Sequence, residues 1–503
     1  VQQLRYWLRE REKTETHMRT TTPKVTRLSE QFISDDRRVI TRLFLPGDEV
    51  RLRRILARIL ALSDSQVTSL LERVRADFAG RHKHIEMDFG EHFREVAGFL
   101  PPDAELSSER QLLIGAYFTM EYSIEAAALF NPSIVLHPDQ SRLPEGAARF
   151  IISLRATGEG HVSSITFRTG LVYADGQLRF DPVGRFVERA KRVKHRIYHK
   201  QTYFYKLIEM GVYNDIVGNV LDRLGEEFGF ADLAGAIEAE RPAAGDTDLF
   251  QQAADNMRWL AHSNYHLKFP TTCDVSEVAI FPVNENESRG IEDARFVRFT
   301  DDDGTVMYYG TYTAYNGFRI LPQLLETPDF TEFRITTLNG KYAQNKGVAL
   351  FPRKIDGWYM MISRVDNENL YVMPSKNIRF WNDAERLQEP VYPWEFIQIG
   401  NCGSPIETEA GWLLLTHGVG PMRTYCIGAT LLDLHDPTRM IGHLAEPLMI
   451  PNERERDGYV PNVVYSCGAI VHNDLLIMPY AMSDSATSVA TVPLQELLDC
   501  LTG

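Results

Sequence analysis

The sequence predicts a mainly β protein: a five-bladed β-propeller with an N-terminal helical region and a helical insertion. Three observations point there. Groups of short runs rich in β-branched and aromatic residues, separated by Gly, Asp, Asn and Pro, fall at 130–173, 277–315, 347–373, 403–433 and 461–494. Apart from one interruption, these groups recur roughly every 50 to 60 residues, the spacing of a sandwich or of propeller repeats. Two other stretches carry apolar residues at three- and four-residue intervals, which is the helical period. Five similar units with loops converging on one end favour the propeller over the sandwich. The chain then divides into an N-terminal region, 1–129, largely helical from 48; a first propeller segment, 130–182; a helical insertion, 183–264; and the rest of the propeller, 265–503.

In chain order, Val39 to Leu45 reads as a short strand ended by Pro46 and Gly47. Val50, Leu52, Ile55, Leu56, Ile59 and Leu60 mark a first helix. Ser63-Asp64-Ser65 then starts a second, with Val67, Leu70, Leu71, Val74 and Phe78 on one face. Helix is expected to continue over 90–129, broken at Gly98 and Pro101-Pro102. Strands follow at Ile134–His137, Phe150–Arg155, Ser163–Phe167 and Leu171–Tyr173. Helix returns from 183, with Tyr203, Leu207, Ile216, Val220 and Leu224 in its apolar pattern and a turn at Pro242. From about 268 the chain is nearly all β.

Composition narrows the function classes. The 503 residues are 44% hydrophobic and 24% charged with a net charge of −14, which argues against a duplex nucleic-acid partner and suits a neutral substrate. Five cysteines without a CxxC pair make neither a disulfide framework nor a thiolate metal site. No signal peptide and no membrane-length apolar run is visible, so a reducing cytoplasm is the default location. His195 and His199 stand four apart in HRIYH, but the glutamate of HExxH is missing, so no metal is expected. GxGxxG, GxxxxGK[ST] and GxSxG are all missing, so no cofactor is expected either.

The chemistry centres on ESRGIEDARFVRF at 287–299, where Gly290 leads into the adjacent carboxylates Glu292 and Asp293 and then an alternating strand. On a regular strand, neighbours point to opposite faces, so one acid is expected to face a cleft and the other to pair with Arg289 or Arg295. A surface acid pair is the plain alternative. A second set, Arg155, Lys346, Arg364, His417, Arg423 and Tyr425, lies beside apolar β runs near turns; if convergent, such residues hold an oxyanion, and if scattered they are ordinary salt-bridge partners. Tyr312, Tyr315, Trp358, Trp381, Trp394 and Trp412 could line a sugar site, although Trp358 and Trp412 read better as core.

FNPSIV at 130–135, GIEDARF at 290–296, NKGVALFPRKIDGWYMMISR at 345–364, GSPIETEAGWLLLTHGV at 403–419, YCIGATLLDLHDP at 425–437, VPNVVYSCGAI at 460–470 and MPYAMSDSATSVA at 478–490 occur in that order. Together they resemble glycoside hydrolase family 130, the inverting mannoside phosphorylases and related β-mannosidases. The resemblance spans about 130–180 and 265–495, leaving the helical stretches as elaborations.

The resemblance implies a five-bladed propeller with a central site, and a glycosyltransferase-type phosphorolysis of a β-mannoside by inorganic phosphate, giving α-mannose 1-phosphate. Asp293 would be the general acid, acting through a mannose hydroxyl. Phosphate, the co-substrate, would lie on Arg155, Lys346, Arg364 and His417 with Tyr425 in support. Asn131, Ser163, Glu292, Arg295, Tyr312, Asn345, Asp366, Ser404 and Asp484 are candidates on the sugar side. Ala294 departs from the proline that many members carry. Two alternatives stay open: an inverting mannosidase with Glu368 or Glu407 as base on water, and a catalytically silent carbohydrate-binding propeller. The helical elaboration is a candidate either to narrow the cleft or to form a homo-oligomer interface. Linkage and acceptor sugar are left open.

Overall fold

The computed structural model describes residues 23–102, 104–192, 197–245, 247–282, 287–315 and 320–502. Antiparallel strand groups make up most of it. Ala128–Leu136, Ala148–Thr157 and Ser163–Val172 form a meander. Its last strand touches Gly290–Thr300 at a single parallel register point, Ser163 to Gly290, where a second meander begins and runs through Val306–Tyr315, Ile320–Thr327 and Glu332–Thr337. A third comprises Ala349–Leu350, Tyr359–Ser363, Leu370–Ser375 and Glu385–Gln388. A fourth comprises Gln398–Asn401, Gly411–Val419, Tyr425–Leu432 and Met440–His443. The fifth comprises Val464–Tyr465, Leu475–Met482 and Ala486–Pro493, and the N-terminal strand Thr26–Phe32 completes its outer edge.

The cores between these groups form a closed succession. Ile151 and Phe167 pack with Phe296 and Phe330 of the second group. Phe299 and Leu324 pack with Met361 and Met373 of the third, whose Ile362 and Val372 pack with Trp412 and Leu414 of the fourth. Leu413 and Leu431 pack with Leu476 and Val492 of the fifth, and Ile477 and Val489 return to Phe150 and Ile152 of the first. Strands that are apolar on both faces, such as Gly411–Val419, are buried between two neighbours, which is why they read as continuous apolar runs.

Four helices, Glu49–Leu60, Asp64–Phe78, Ile85–Val96 and Ser108–Tyr117, enclose a small core around Leu56, Leu71 and Ile114. Ser63 and Gln66 cap the second helix reciprocally. Helix stops at Tyr117, not at 129. Thr119–Glu125 is a strand paired with Asp35–Leu43, because Met120, Tyr122 and Ile124 alternate against that partner. Glu125 is fully buried at the end of this strand pair between Arg38 and Arg168, which ties it to the first meander.

The insertion also differs from expectation. Short strands Lys191–Arg192 and Ile197–His199 precede its first helix, Lys200–Glu209. His199 is therefore a strand residue facing Glu227 across 3.3 Å, and His195 lies outside the described residues. Helices Asp215–Asp222, Phe230–Ala244 and Asp248–His262 follow around a core of Leu207, Val220, Ile237 and Met257. Pro242 sits in the last turn of its helix, and the stop is Gly245 at φ +72°. Leu171–Tyr173 is not a separate strand, since Ser163–Val172 runs unbroken. Trp412 is core as expected, but Trp358 is 40% exposed with Lys376 over its ring. No helix among the described residues is long and apolar enough to cross a membrane.

Candidate active site

The acid pair sits on a distorted strand. Register shifts between Glu292 and Arg295, and Asp293 adopts φ +56°. This bulge breaks the alternation, so Glu292 and Asp293 both line one cavity of about 250 Å3, contrary to the one-in, one-out expectation. Gly290, at φ +121°, lets the strand begin against Ser163: a Cβ there would lie 2.3 Å from Ser163 Oγ. Ser163 Oγ also donates to the Ile291 carbonyl at 3.0 Å, and Ser133 Oγ accepts from the Phe296 amide just beyond the bulge.

Every strand group contributes to the cavity wall at its first strand, and every group but the second also at the far end of its second strand. The first strands, or the turns leading into them, supply Asn131, Glu292 with Asp293, Lys346 with Gly347, Gly400 with Asn401, and Tyr465. The far ends of second strands supply Arg155, Arg364, His417 and Asp484. Arg423, Tyr425, Val460 and Val463 complete the wall. Asn131, Asp293, Arg423 and Asp484 all have positive φ, a concentration of special backbone at one place.

Contacts within the cavity are charge-assisted. Arg155 donates to Glu292 at 2.8 Å and to Asp293 at 3.2 Å, while its guanidinium lies 5.0 Å over the Phe130 ring. Lys346 donates to the other oxygen of Glu292 at 2.5 Å. Asn131 Nδ2 donates to Asp293 at 2.7 Å. Arg295 is buried beneath: it donates to the Asp293 carbonyl at 2.9 Å, to Asn401 Oδ1 at 3.0 Å and to the Tyr465 hydroxyl at 2.6 Å. Arg155 Nε and Asn131 Oδ1 are buried without a hydrogen-bond partner among the described residues.

These surroundings set the protonation states. Burial pushes the Asp293 carboxyl up, but Arg155, Arg295, the Asn131 amide and Lys346 outweigh it and hold it below the ordinary range. Burial and the Asp293 charge raise Asp484 to about 6. Burial, with Arg364 and Arg295 nearby, holds His417 well below its usual value, so its ring is neutral. Its Nδ1–H donates to the Asn401 carbonyl at 3.2 Å, which leaves Nε2 to accept from Arg364 at 3.5 Å. The cavity thus sets four cationic side chains, Arg155, Lys346, Arg364 and Arg423, against three carboxylates.

Ten of the residues singled out from sequence line this cavity: Asp293, Glu292, Arg155, Lys346, Arg364, His417, Arg423, Tyr425, Asn131 and Asp484. Six do not. Ser163 and Arg295 lie behind the wall as supports. Tyr312 is buried in the second group's core, hydrogen-bonded to Glu287 at 2.8 Å. Asp366 is turned to Asn369 and Tyr371, Asn345 Nδ2 to the Val365 carbonyl, and Ser404 lies off the wall. Glu368 is exposed, and Glu407 is held by Arg353 at 2.6 Å, so neither candidate base reaches the cavity. Sequence reading passed over Asn401, Tyr465, Val460 and Val463. All but Asn401 lie inside VPNVVYSCGAI, a stretch singled out as a whole without its residues being given roles.

Comparison with known proteins adds the following. A family model described as beta-1,4-mannooligosaccharide phosphorylase matches residues 268–503. A 1,2-beta-oligomannan phosphorylase of Thermoanaerobacter sp. (strain X514) is 33% identical over 220 residues, 42% of this chain and 71% of that protein. A beta-1,2-mannobiose phosphorylase of Listeria innocua is 32% identical over 227 residues, 44% of this chain and 62% of that protein. A beta-1,4-mannooligosaccharide phosphorylase of Ruminococcus albus is 30% identical over 167 residues, 31% of this chain and 50% of that protein.

Proposed function

The chain belongs to glycoside hydrolase family 130, and from that premise we propose that it cleaves a β-mannoside with inorganic phosphate, inverting the anomeric centre to release α-D-mannose 1-phosphate. The observation that carries this reading is the convergence of Arg155, Lys346, Arg364 and neutral His417 on the same small cavity as Asp293. A phosphate dianion needs directional donors and positive charge, and guanidinium and ammonium groups supply both. Inorganic phosphate brings its own nucleophilic oxygen, so the second protein carboxylate of an ordinary inverting hydrolase is not required. The relatives named above are phosphorylases of 1,2- and 1,4-linked β-mannosides, which supports the substrate class and leaves the linkage open.

In this mechanism a phosphate oxygen attacks C1 of mannose from one face while the C1–O bond to the leaving sugar breaks on the other. The leaving oxygen takes a proton from a mannose hydroxyl, and Asp293 replaces that proton. Asp293 must therefore be protonated in the reactive complex, although Arg155 and Lys346 favour its carboxylate beforehand. Phosphate resolves the conflict: bound to those cations it offsets their field and adds its own negative charge, and both effects raise the Asp293 pKa. Asn131 and Asp484, on the same wall, are placed to hold mannose hydroxyls. Tyr425 would support the phosphate, with its ring stacked on His417 at 5.9 Å.

The five strand groups, with their closed succession of cores and repeated contribution to one cavity, support reading the β part as a five-bladed propeller with the cavity at its axis.

The test is an assay on β-1,2-, β-1,3- and β-1,4-mannobiose with and without inorganic phosphate. Mannose 1-phosphate should appear with phosphate only. Free mannose formed at one rate in both conditions would sink phosphorolysis. Asp293→Asn, compatible with the positive φ at this position, should cut kcat by about 100- to 10,000-fold, the range for losing a general acid. Near-normal turnover would remove Asp293 from that role.

A further inference from the structure

The cavity holds about 250 Å3, below the range of roughly 300–1,000 Å3 usual for small-molecule sites. With mannose and phosphate inside, the leaving-group sugar of a disaccharide must extend past the mouth. Tyr459 is 72% exposed and adjoins Val460, which lines the cavity. One face of its ring is stacked on the imidazole of His161, with centroids 5.3 Å apart and planes 25° apart. His161 comes from the loop that follows the Arg155 strand, so the pair joins that loop to the one that carries Val460.

Both partners are held in place. The Val460 amide donates to the Ser483 carbonyl at 3.1 Å, and a Cβ on Gly458 would meet that same oxygen at 2.3 Å, so the Tyr459 loop is pressed against the turn that presents Asp484. On its other side, the Tyr425 amide donates to the Asn462 carbonyl at 3.0 Å. His161 adopts φ +58° in a short turn fixed by the Tyr122 hydroxyl, which donates to the Glu159 carbonyl at 2.7 Å. A large ring exposed on a pinned loop, with one face already covered and fixed, is a preorganised apolar platform. The apolar C–H face of a pyranose packs on such a ring while its hydroxyls stay in water.

We propose that Tyr459, steadied by His161, is the platform on which the leaving-group sugar of the disaccharide stacks, and so a specificity-determining residue for that sugar. This rests on the reading of the cavity as a mannoside site. It does not depend on whether phosphate or water attacks. A sugar whose apolar face can lie flat against the ring with its glycosidic oxygen at the cavity mouth is accepted. One that presents an equatorial hydroxyl edge to the ring is not.

The experiment is calorimetric titration of the full chain, without phosphate, by mannose and by the three mannobioses, for wild type, Tyr459→Ala, Tyr459→Phe and His161→Ala. The platform predicts that Tyr459→Ala weakens the best-bound mannobiose about tenfold, equivalent to about 1.4 kcal/mol. Affinity for mannose, and for inorganic phosphate titrated separately, should stay unchanged. Tyr459→Phe keeps the ring and should bind like wild type, and His161→Ala should show a smaller loss confined to the disaccharide. Equal mannobiose affinity in wild type and Tyr459→Ala overturns the proposal, and so does a parallel loss for mannose and mannobiose, which would make Tyr459 a wall support. Wild type that binds mannobiose in this pattern but forms no mannose 1-phosphate leaves the platform standing and overturns phosphorolysis alone.

Discussion

Asp293 and Asp484 share a cavity, yet their surroundings push their protonation in opposite directions. Arg155 reaches Asp293 directly, whereas Asp484 feels burial and the charge of Asp293 more than it feels Arg155. The folded-state pKa of Asp484, about 6, lies above the ordinary aspartate value of 3.8, so the folded protein binds that proton more tightly than the unfolded chain. Stability from this group is therefore lost as pH rises from about 4 through 6, and at pH 7 the cost is fully present. Asp484→Asn, which suits the φ of +51°, should raise unfolding free energy at pH 7 by up to about 3 kcal/mol and leave it nearly unchanged at pH 4. Denaturant melts at the two pH values check this, and a destabilised variant at pH 7 would refute it. A bound dianion should push both carboxyls up from these values. Sulfate, a dianion that does not itself titrate near neutrality, should thus bind with proton uptake at pH 6.5, read from calorimetry in two buffers of different ionisation enthalpy. Proton release would mean that the anion sits away from the carboxylates. The acid pair and most of the basic set were legible in the sequence as residue types. That both acids face the cavity was not, because period-2 alternation cannot reveal a bulge whose only local sign is an Asp at positive φ.

At the scale of elements, the strand Gly290–Thr300 has different needs at its two ends. At its start Gly290 combines φ +121° with backbone contact to Ser163, while the hairpin at its other end turns through Gly304, at φ +83° with open space around it. Gly290→Ala should cost about 2 kcal/mol or more and lower activity, because relieving the clash moves the segment that carries Glu292 and Asp293. Gly304→Ala should cost about 1 kcal/mol, the strain alone, with activity intact. Thermal melts paired with turnover separate the two, and equal activity loss in both would mean that the strand moves as a unit. Strong apolar strands such as Gly411–Val419 could be read directly, since they are buried on both faces. Thr26–Phe32 could not. Its burial is patchy and polar residues dominate it, so only its pairing with Ala486–Pro493 makes it a strand. Thr119–Glu125 was hidden for a related reason: it directly follows a helix, and its alternation is too short to stand out from the helical period before it.

For the molecule as a whole, the two helical elaborations have different standing. Among the described residues, none from 183–264 lines the active-site cavity, and the insertion has a core of its own. Its two ends meet where the Tyr198 hydroxyl donates to the Ala261 carbonyl at 2.9 Å. A few polar contacts fasten it to the strands, including Lys206 to the Leu338 carbonyl at 2.8 Å and the Gly340 amide to Glu209 at 2.6 Å. Replacing 200–262 by a short Gly/Ser link should therefore leave phosphate affinity within about threefold, while Tm falls because the Leu338 carbonyl loses Lys206 and the Phe380 ring loses Tyr205. The N-terminal elements are a different case. Thr26–Phe32 supplies an outer strand of the fifth group, and Arg38 pairs with the fully buried Glu125. Removing Arg38 strands that carboxylate on Arg168 alone, a loss of about 3–5 kcal/mol for a broken buried pair. Arg38→Met should accordingly destabilise the chain far more than the excision does, although Arg38 is not part of the cavity wall. If the excision abolished phosphate binding and Arg38→Met left the melt unchanged, the assignment would reverse, with the insertion holding the site and the N-terminal strand pair a mere appendage.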